Sequence, residues 1–326
     1  MVCGISSLSV SKRLQKSVTV APPNRDGVGP SKVVLPPGTW STLLDFLVER
    51  FKHIERGEWL MRMQNGTVWD DQGKSLHAEA DYTPLQTIYY FRAVSQETPI
   101  PFQEVVLFQN AHLVVVDKPH FLPVMPSGKY LQETVLVRLK KKLDLRDLVP
   151  IHRIDRDTAG LVLFSSNPET RDAYHALFRD RAVKKTYEAI APWNPALAWP
   201  QSRESRIEVS EHFMQQTEAP GVPNALTHIT PIEVCGAWAR YQLQPVSGQR
   251  HQLRVHMAAL GLPLLWDGMY PILTPEGASD FSKPLQLLAK SIAFTDPVSK
   301  KAMAFESKLS LRVLADLDKP LGTLHR

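Results

Sequence analysis

From Ser41 onward, apolar residues fall at Leu44, Leu47, Val48 and Phe51, the spacing of one face of an amphipathic helix, with Ser41 or Thr39 as the expected cap. A second short helix is expected over residues 58–63, stopped by Asn65-Gly66. Thr67-Val68-Trp69, the Asp71-Gln72-Gly73-Lys74 turn and Thr87-Ile88-Tyr89-Tyr90-Phe91 then read as strands about a turn. Residues 1–37 differ: they are rich in Ser, Pro, Lys and Val without a stable period, and Pro22-Pro23 and Gly29-Pro30 mark an extended leader. Residues 38–95 thus form a small unit, and Ser95 to Pro101, with two prolines, is expected to be a linker.

Past the linker the pattern turns β-rich. Val105-Val106-Leu107-Phe108 and His112-Leu113-Val114-Val115-Val116-Asp117 are apolar runs broken at Asn110-Ala111. Helices are expected over 134–143, ending in Lys140-Lys141-Lys142, and over 168–181, apolar at Tyr174, Leu177 and Phe178. The lysine run complements the negative end of a helix as well as it would a phosphate. Strands are expected at Lys185-Thr186-Tyr187-Glu188-Ala189-Ile190, over 227–235 and 237–245, and at Ile292-Ala293-Phe294 and Met303-Ala304-Phe305. Residues 194–224 are polar and proline-bearing and read as an insertion. The sum is an α+β domain over 102–315, mixed but mainly antiparallel in its sheet, with a few flanking helices.

Composition narrows the classes. A chain of 326 residues with 43% hydrophobic and 22% charged residues is globular in character, and a net charge of +5 favours a polyanionic partner without establishing one. Two cysteines, Cys3 and Cys235, build neither a zinc site nor a disulfide framework, which fits a reducing compartment. No stretch approaches the roughly 18 apolar residues of a membrane span and no signal-like segment leads the chain. The expectation is a cytoplasmic monomer with no membrane association.

Three separated segments carry chemistry. The first is His152-Arg153-Ile154-Asp155-Arg156-Asp157-Thr158-Ala159-Gly160, two carboxylates and two guanidinium groups that feed directly into the apolar run Leu161-Val162-Leu163-Phe164. Charges there are costly to desolvate unless they are paired or face a cleft. A surface loop with fortuitous ion pairs is the plain alternative, and the buried strand behind it argues for a positioned site. The second is Lys184-Lys185-Thr186-Tyr187, where cations lead into an aromatic. The third is Gly248-Gln249-Arg250-His251-Gln252-Leu253-Arg254-Val255-His256, in which Arg254 on an extended strand would point opposite to Leu253 and Val255. Such a density of Arg, His and Gln suits phosphate or carboxylate contacts, and a solvated sheet edge equally.

The first segment resembles the signature of the RluA-type pseudouridine synthases, His-Arg-Leu-Asp followed by two variable positions and Thr-Ser-Gly. Asp117-Lys118-Pro119, Lys185-Thr186-Tyr187 and His251-Gln252-Leu253-Arg254-Val255-His256 are similar to further elements of that family, and Asp267 with Tyr270, Leu285-Gln286-Leu287-Leu288-Ala289 and Phe294 follow in the same order. The likeness spans roughly residues 102–310. Ala159 stands for the family's Ser, Gln249 and Arg250 for Arg and Thr, Trp266 for a Gly and Leu288 for a frequent His. The small N-terminal unit, with Lys52, His53, Arg56 and Arg62 near its helices, looks like the RNA-binding module of the ribosomal-protein S-four type, or else a structural cap.

The resemblance implies a pseudouridine synthase fold and an isomerisation of uridine in RNA. The N-glycosidic bond breaks, the uracil turns and it rejoins through carbon, with no metal and no nucleotide cofactor. The chain likewise lacks a P-loop, a dinucleotide fingerprint and clustered metal ligands. In this picture Asp155 attacks the sugar or assists elimination, Arg254 pairs with it, and Tyr187 stacks on the uracil and takes part in proton transfer. Arg153 fills the gap left by the extruded nucleotide. Lys118, Lys185, Arg250, His251 and Gln252 are expected at the RNA, with Lys140 to Lys142 and Lys184 as further phosphate contacts. Asp157 is the competing carboxylate. Ribosomal RNA is placed slightly ahead of transfer RNA on the strength of the N-terminal unit. Two rivals remain at this level: a glycoside-cleaving hydrolase using Asp155 and Asp157 as a pair, and a non-catalytic RNA-binding protein.

Overall fold

A computed structural model of the chain describes residues 22–52, 54–92, 97–274 and 280–317. Residues 1–21 of the expected leader, His53, and Ser95-Gln96 of the expected linker lie outside them. The chain divides into two compact units, Met1–Ala93 and Val94–Arg326.

In the first unit, β1 (Ser31–Val34) precedes α1 (Leu43–Arg50) and α2 (Arg56–Gln64), and β2 (Val68–Asp70) and β3 (Thr87–Tyr90) follow. The strands make an antiparallel sheet in the order β1-β3-β2. Leu44, Phe46 and Leu47 of α1 meet Trp59 and Met63 of α2 over Leu35, Val68 and Ile88. Thr42, rather than Ser41 or Thr39, caps α1, its Oγ1 accepting the N–H of Asp45 at 3.2 Å. Strand β1 and the buried Leu35 belong to the segment expected to be leader; an edge strand of four residues is too short to show a period. The basic cluster is also changed. Arg62 is buried, paired with Glu58 and lying over the Trp59 ring, and Arg56 pairs with Asp45 at 3.0 Å. Of the described members of that cluster, Lys52 and Arg56 are exposed.

The second unit runs β4 (Val105–Gln109), β5 (Leu113–Lys118), α3 (Val135–Leu143), β6 (Val149–Pro150), β7 (Ala159–Ser165), α4 (Arg171–Arg179), β8 (Lys184–Pro192), β9 (Gln201–Val209), β10 (Gln216–Ala219), β11 (Ala225–Cys235), β12 (Trp238–Pro245), α5 (Gln252–Ala259), β13 (Leu287–Thr295) and β14 (Ala302–Glu306). It is an α+β domain on one eleven-stranded sheet, ordered β10-β9-β11-β12-β8-β13-β7-β5-β4, with β14 beside β13 and β6 beside β7. Among the described residues only β7 and β13 pair in parallel. Every residue of β5 and β7 is buried, as their continuous apolar runs require of central strands. Helices α3 and α4 pack Val135 and Leu139, and Tyr174, against those strands.

Two expectations fail here. Residues 194–224, read as an insertion, hold β9 and β10, two strands of the main sheet. These strands alternate polar residues, so no apolar period marks them, and the Arg203–Glu218 pair joins them. Residues 252–259 form helix α5, not a strand. Leu253 and Met257, one turn apart, enter one core cluster, while Val255 enters another beside Tyr270. The helix is buried on nearly every side, and the satisfied polar groups of Gln252, Arg254 and His256 hide its apolar stripe.

Candidate active site

The register of three central strands brings the three chemical segments together. Gly160 at the start of β7 pairs with Ala289 of β13, and Ala289 pairs across its other side with Tyr187 of β8. The charged loop that ends at β7 and the tyrosine on β8 are therefore two strand spacings apart, roughly 10 Å between backbones, with side chains free to converge. Tyr187 in turn pairs with Leu243 of β12, whose exit leads through residues 246–251 into α5 and Arg254. The parallel contact demands glycine at 160: its φ is +107°, and a Cβ would lie 2.3 Å from the carbonyl oxygen of Ala289.

At the convergence, Nη1 of Arg254 donates to Oδ2 of Asp155 at 3.1 Å. Behind it Asp267 takes the rest of the guanidinium, accepting from Nε at 2.8 Å and Nη2 at 2.6 Å. The side chains of Arg254 and Asp267 are 2% and 1% exposed, and that of Asp155 is 26% exposed, so the trio has one carboxylate open to the cleft. Burial by itself would raise the Asp155 pKa. Arg254, through its charge and its hydrogen bond, and the Lys118 ammonium outweigh it and hold the carboxyl below its ordinary value. Burial likewise opposes the charge on Arg254, and the two carboxylates more than restore it.

The cleft in front of Asp155 has a volume of about 460 Å³, within the range of small-molecule and nucleotide sites. Tyr187, Arg153, Lys185, His251 and Arg254 line it. Burial and then the neighbouring Asp155 carboxylate push the Tyr187 phenol well above its ordinary pKa, so it carries its proton at neutral pH. The rim also has Phe178, Arg179 and Arg181, which the sequence reading missed. The signal was present in Arg179-Asp180-Arg181 just before Lys184-Lys185, where the helix ends and the chain turns toward β8. Lys185 is half-turned inward, donating to the Ser247 carbonyl at 2.9 Å, and burial and Arg181 lower its pKa.

Several expected RNA contacts have other work. Lys118, paired opposite Gly160, is fully buried, and its Nζ donates to the carbonyls of Pro119, Leu122 and Arg156 at 2.8–2.9 Å. It ties the Asp155 loop from beneath and has no surface to offer a phosphate. Burial lowers its pKa to about 7, against the pull of Asp157 and Asp155. Gln252 lines the cleft but is nearly fully buried, and its amide is engaged with Ser247, Gln249, Leu226 and Thr227, fixing the turn before α5. Arg250 is exposed but turned from the cleft, donating to the carbonyls of Phe213 and Met214. His251 faces Asp155, with Nε2 3.7 Å from Oδ1. Asp157 pairs with its neighbour Arg156 at 2.9 Å and does not line the cleft, so the acid/base pair required by a hydrolase is not assembled.

His152, which lines the cleft, and His256 are both tied into the fold by hydrogen bonds. His152 Nε2 accepts the N–H of Leu163 at 3.1 Å, and burial pushes its pKa down to about 3. His256 lies between Thr227 and Ser205, with a pKa of about 4 for the same reason. Two departures from the family pattern are neighbours, since Ala159 and Leu288 pair directly across β7 and β13 in the buried core. Trp266, where a glycine is usual, holds a φ of +61° and carries the Arg312 guanidinium 5.4 Å from its ring. Among the described residues no group of three or more His, Cys, Asp or Glu could hold a metal, and no helix is long and apolar enough to cross a membrane.

The family model for RNA pseudouridylate synthase matches residues 112–259, which contain Lys118, Asp155, Tyr187 and Arg254. An RNA pseudouridine synthase of Synechocystis sp., itself uncharacterised, is 30% identical over 238 residues, 70% of this chain and 79% of that protein. The dual-specificity RNA pseudouridine synthase RluA of Pasteurella multocida is 29% identical over 217 residues, 64% of this chain and 93% of its own. The solved structure of human RNA pseudouridylate synthase domain containing 1 shares the fold, with a TM-score of 0.53 at 18% identity over 65% of this chain and 86% of that one. The chain belongs to the RluA-type RNA pseudouridine synthases, enzymes that isomerise uridine in RNA.

Proposed function

We propose that this enzyme converts particular uridines of a structured RNA to pseudouridine with Asp155 as nucleophile. The observation that carries the reading is the Asp155 carboxylate, kept ionised by a buried Arg254 at 3.1 Å and opening onto the cleft that Tyr187 lines. Asp155 attacks the sugar carbon as the bond to the uracil nitrogen breaks. The freed base turns against Tyr187, a carbon–carbon bond replaces the aspartyl bond, and the ring carbon gives up its proton while the ring nitrogen gains one. Product and substrate have the same mass. Arg153, exposed at the cleft mouth, occupies the stack vacated by the uridine, and Arg179, Arg181 and Lys185 meet phosphates along the rim.

The RNA is ribosomal ahead of transfer, with the N-terminal unit as an auxiliary binding module through Lys52 and Arg56. The enzyme acts as a monomer in the cytoplasm, in keeping with a chain of only two cysteines. Asp155→Asn is expected to bind RNA and make no pseudouridine in nucleoside analysis; product equal to that of the parent would refute the assignment. Mapping pseudouridines transcriptome-wide in cells lacking the gene identifies the RNA, and a lost site in transfer RNA alone would overturn the ribosomal preference.

A further inference from the structure

The two oxygens of Asp155 have different neighbours. Oδ2 accepts from Arg254, whereas Oδ1 faces Nε2 of His251 at 3.7 Å. Behind the imidazole stands Tyr270, its phenol oxygen 2.8 Å from His251 Nδ1. The same oxygen accepts the backbone N–H of Gln216, at the start of β10, at 2.7 Å. Tyr270 is 6% exposed, and a phenol has one hydrogen to give. With Gln216 already donating to it, that hydrogen finds its acceptor in Nδ1. Among the described residues the reverse arrangement, with Nδ1 protonated and donating to the phenol, would leave a buried hydroxyl hydrogen without a partner.

We infer that Tyr270 locks His251 as the Nε2–H tautomer, and that His251 is a positioning residue whose neutral N–H is aimed at the Asp155 oxygen that Arg254 does not hold. The inference rests on Asp155 being the reacting group. Arg254 then holds one oxygen at 3.1 Å while His251 faces the other from 3.7 Å, longer than a hydrogen bond but close enough to tighten onto it when substrate binds, and the two together orient the carboxylate. His251 does so without adding a second positive charge that would blunt the nucleophile. The charged groups around the ring are Asp155, Asp267, Arg250 and Arg254. Burial and the two guanidinium groups keep the imidazole neutral against the pull of the carboxylates. Backbone geometry serves the same end. His251 sits at φ +56° immediately before α5, and this left-handed turn directs its ring to Asp155 while Arg250 reaches the other way, to the carbonyls of Phe213 and Met214. The loop leading into β10 is thereby tethered to the catalytic carboxylate through Tyr270 and His251.

The tautomer is directly measurable. Long-range proton–nitrogen NMR on the full chain, with nitrogen-labelled histidine and His251 assigned by its loss in His251→Gln, should show Nδ1 unprotonated and Nε2 protonated at neutral pH. A protonated Nδ1 overturns the inference whatever the activity of any variant. Kinetics give an independent check. A glutamine amide can place its nitrogen near the Nε2 position, whereas an asparagine amide reaches only the Nδ1 position. His251→Gln should hold kcat within a few-fold of the parent. His251→Asn should lose roughly ten- to a hundredfold, the scale of one hydrogen bond to a charged group, with KM for RNA little changed in both. Asparagine tolerates a positive φ better than glutamine, so a purely structural role would favour His251→Asn. Equal or higher kcat in His251→Asn therefore refutes the role. An active Asp155→Asn would sink the nucleophile assignment instead, leaving the tautomer result intact.

Discussion

Replacing Asp267 by Asn tests the buried charge trio most sharply, because it changes one charge and almost no volume. In the parent, Arg254 is bracketed by two carboxylates, and Oδ1 of Asp267 also accepts the N–H groups of Met269 and Tyr270 at 2.8 and 3.1 Å. An asparagine oxygen placed at Oδ1 preserves that turn, but its amide hydrogens then face Nε of Arg254, donor against donor. One charge-assisted hydrogen bond is lost, as is one of two ion contacts worth about 4 kcal/mol each at contact distance and an effective dielectric of about 20. Relief from desolvating a carboxylate returns part of this, and Asp155 still neutralises the guanidinium. The net effect therefore falls below the 3–5 kcal/mol typical of breaking a buried pair, at about 2–3 kcal/mol. For a domain of this size that lowers Tm by about 5–10 °C. Freed from behind, Nη1 of Arg254 drifts from Oδ2 of Asp155, and single-turnover pseudouridine formation should slow by roughly ten- to a hundredfold. Equilibrium denaturation followed by circular dichroism, with nucleoside analysis of a uridine-containing RNA, measures both quantities. Unchanged stability and unchanged rate together would show that Asp267 does not set the position of Arg254.

Tyr187→Phe should bind RNA as the parent does and turn over roughly a hundredfold more slowly, the low end of a general acid–base contribution; full activity in a filter-binding and turnover comparison would leave the phenol only a stacking role. Removal of residues 1–93 should weaken RNA affinity several-fold and leave the rate at saturating RNA near the parent's, and unchanged affinity would make the N-terminal unit a cap. Stability should also fall on mild acidification. His152 and His256 have folded pKa values of about 3 and 4, below the unfolded 6.5. The unfolded chain therefore binds protons first, and their stabilisation is complete above pH 6.5 and is lost as pH falls toward 4. From pH 7.5 to 5.5 the two together should cost roughly 2–3 kcal/mol in urea denaturation, and a flat profile would contradict their buried, neutral state.

By itself the sequence determined the parts with a local signature. The amphipathic spacing after Ser41, the continuous apolar runs of β5 and β7, and the helix over Val135–Leu143 follow from periodicity and burial alone. The ordered elements around Asp155, Tyr187 and Arg254 carried the family. Tertiary structure decided what each polar residue does, because a side chain's role depends on which neighbours the sheet register supplies. Lys118 and Gln252 are indistinguishable from surface contacts in a one-dimensional string, and they prove to be buried anchors only once β5 pairs with β7 and α5 packs against β11. Strands β9 and β10 carry no apolar period, since charge pairs between neighbours replace a buried face. The Arg254 segment alternates like a strand yet coils as a helix, because apolar packing on several sides, together with internal partners for its polar groups, outweighs the local pattern. The pairing of Arg254 with both Asp155 and Asp267 joins residues 99 and 13 positions apart, a proximity that only the closed fold creates.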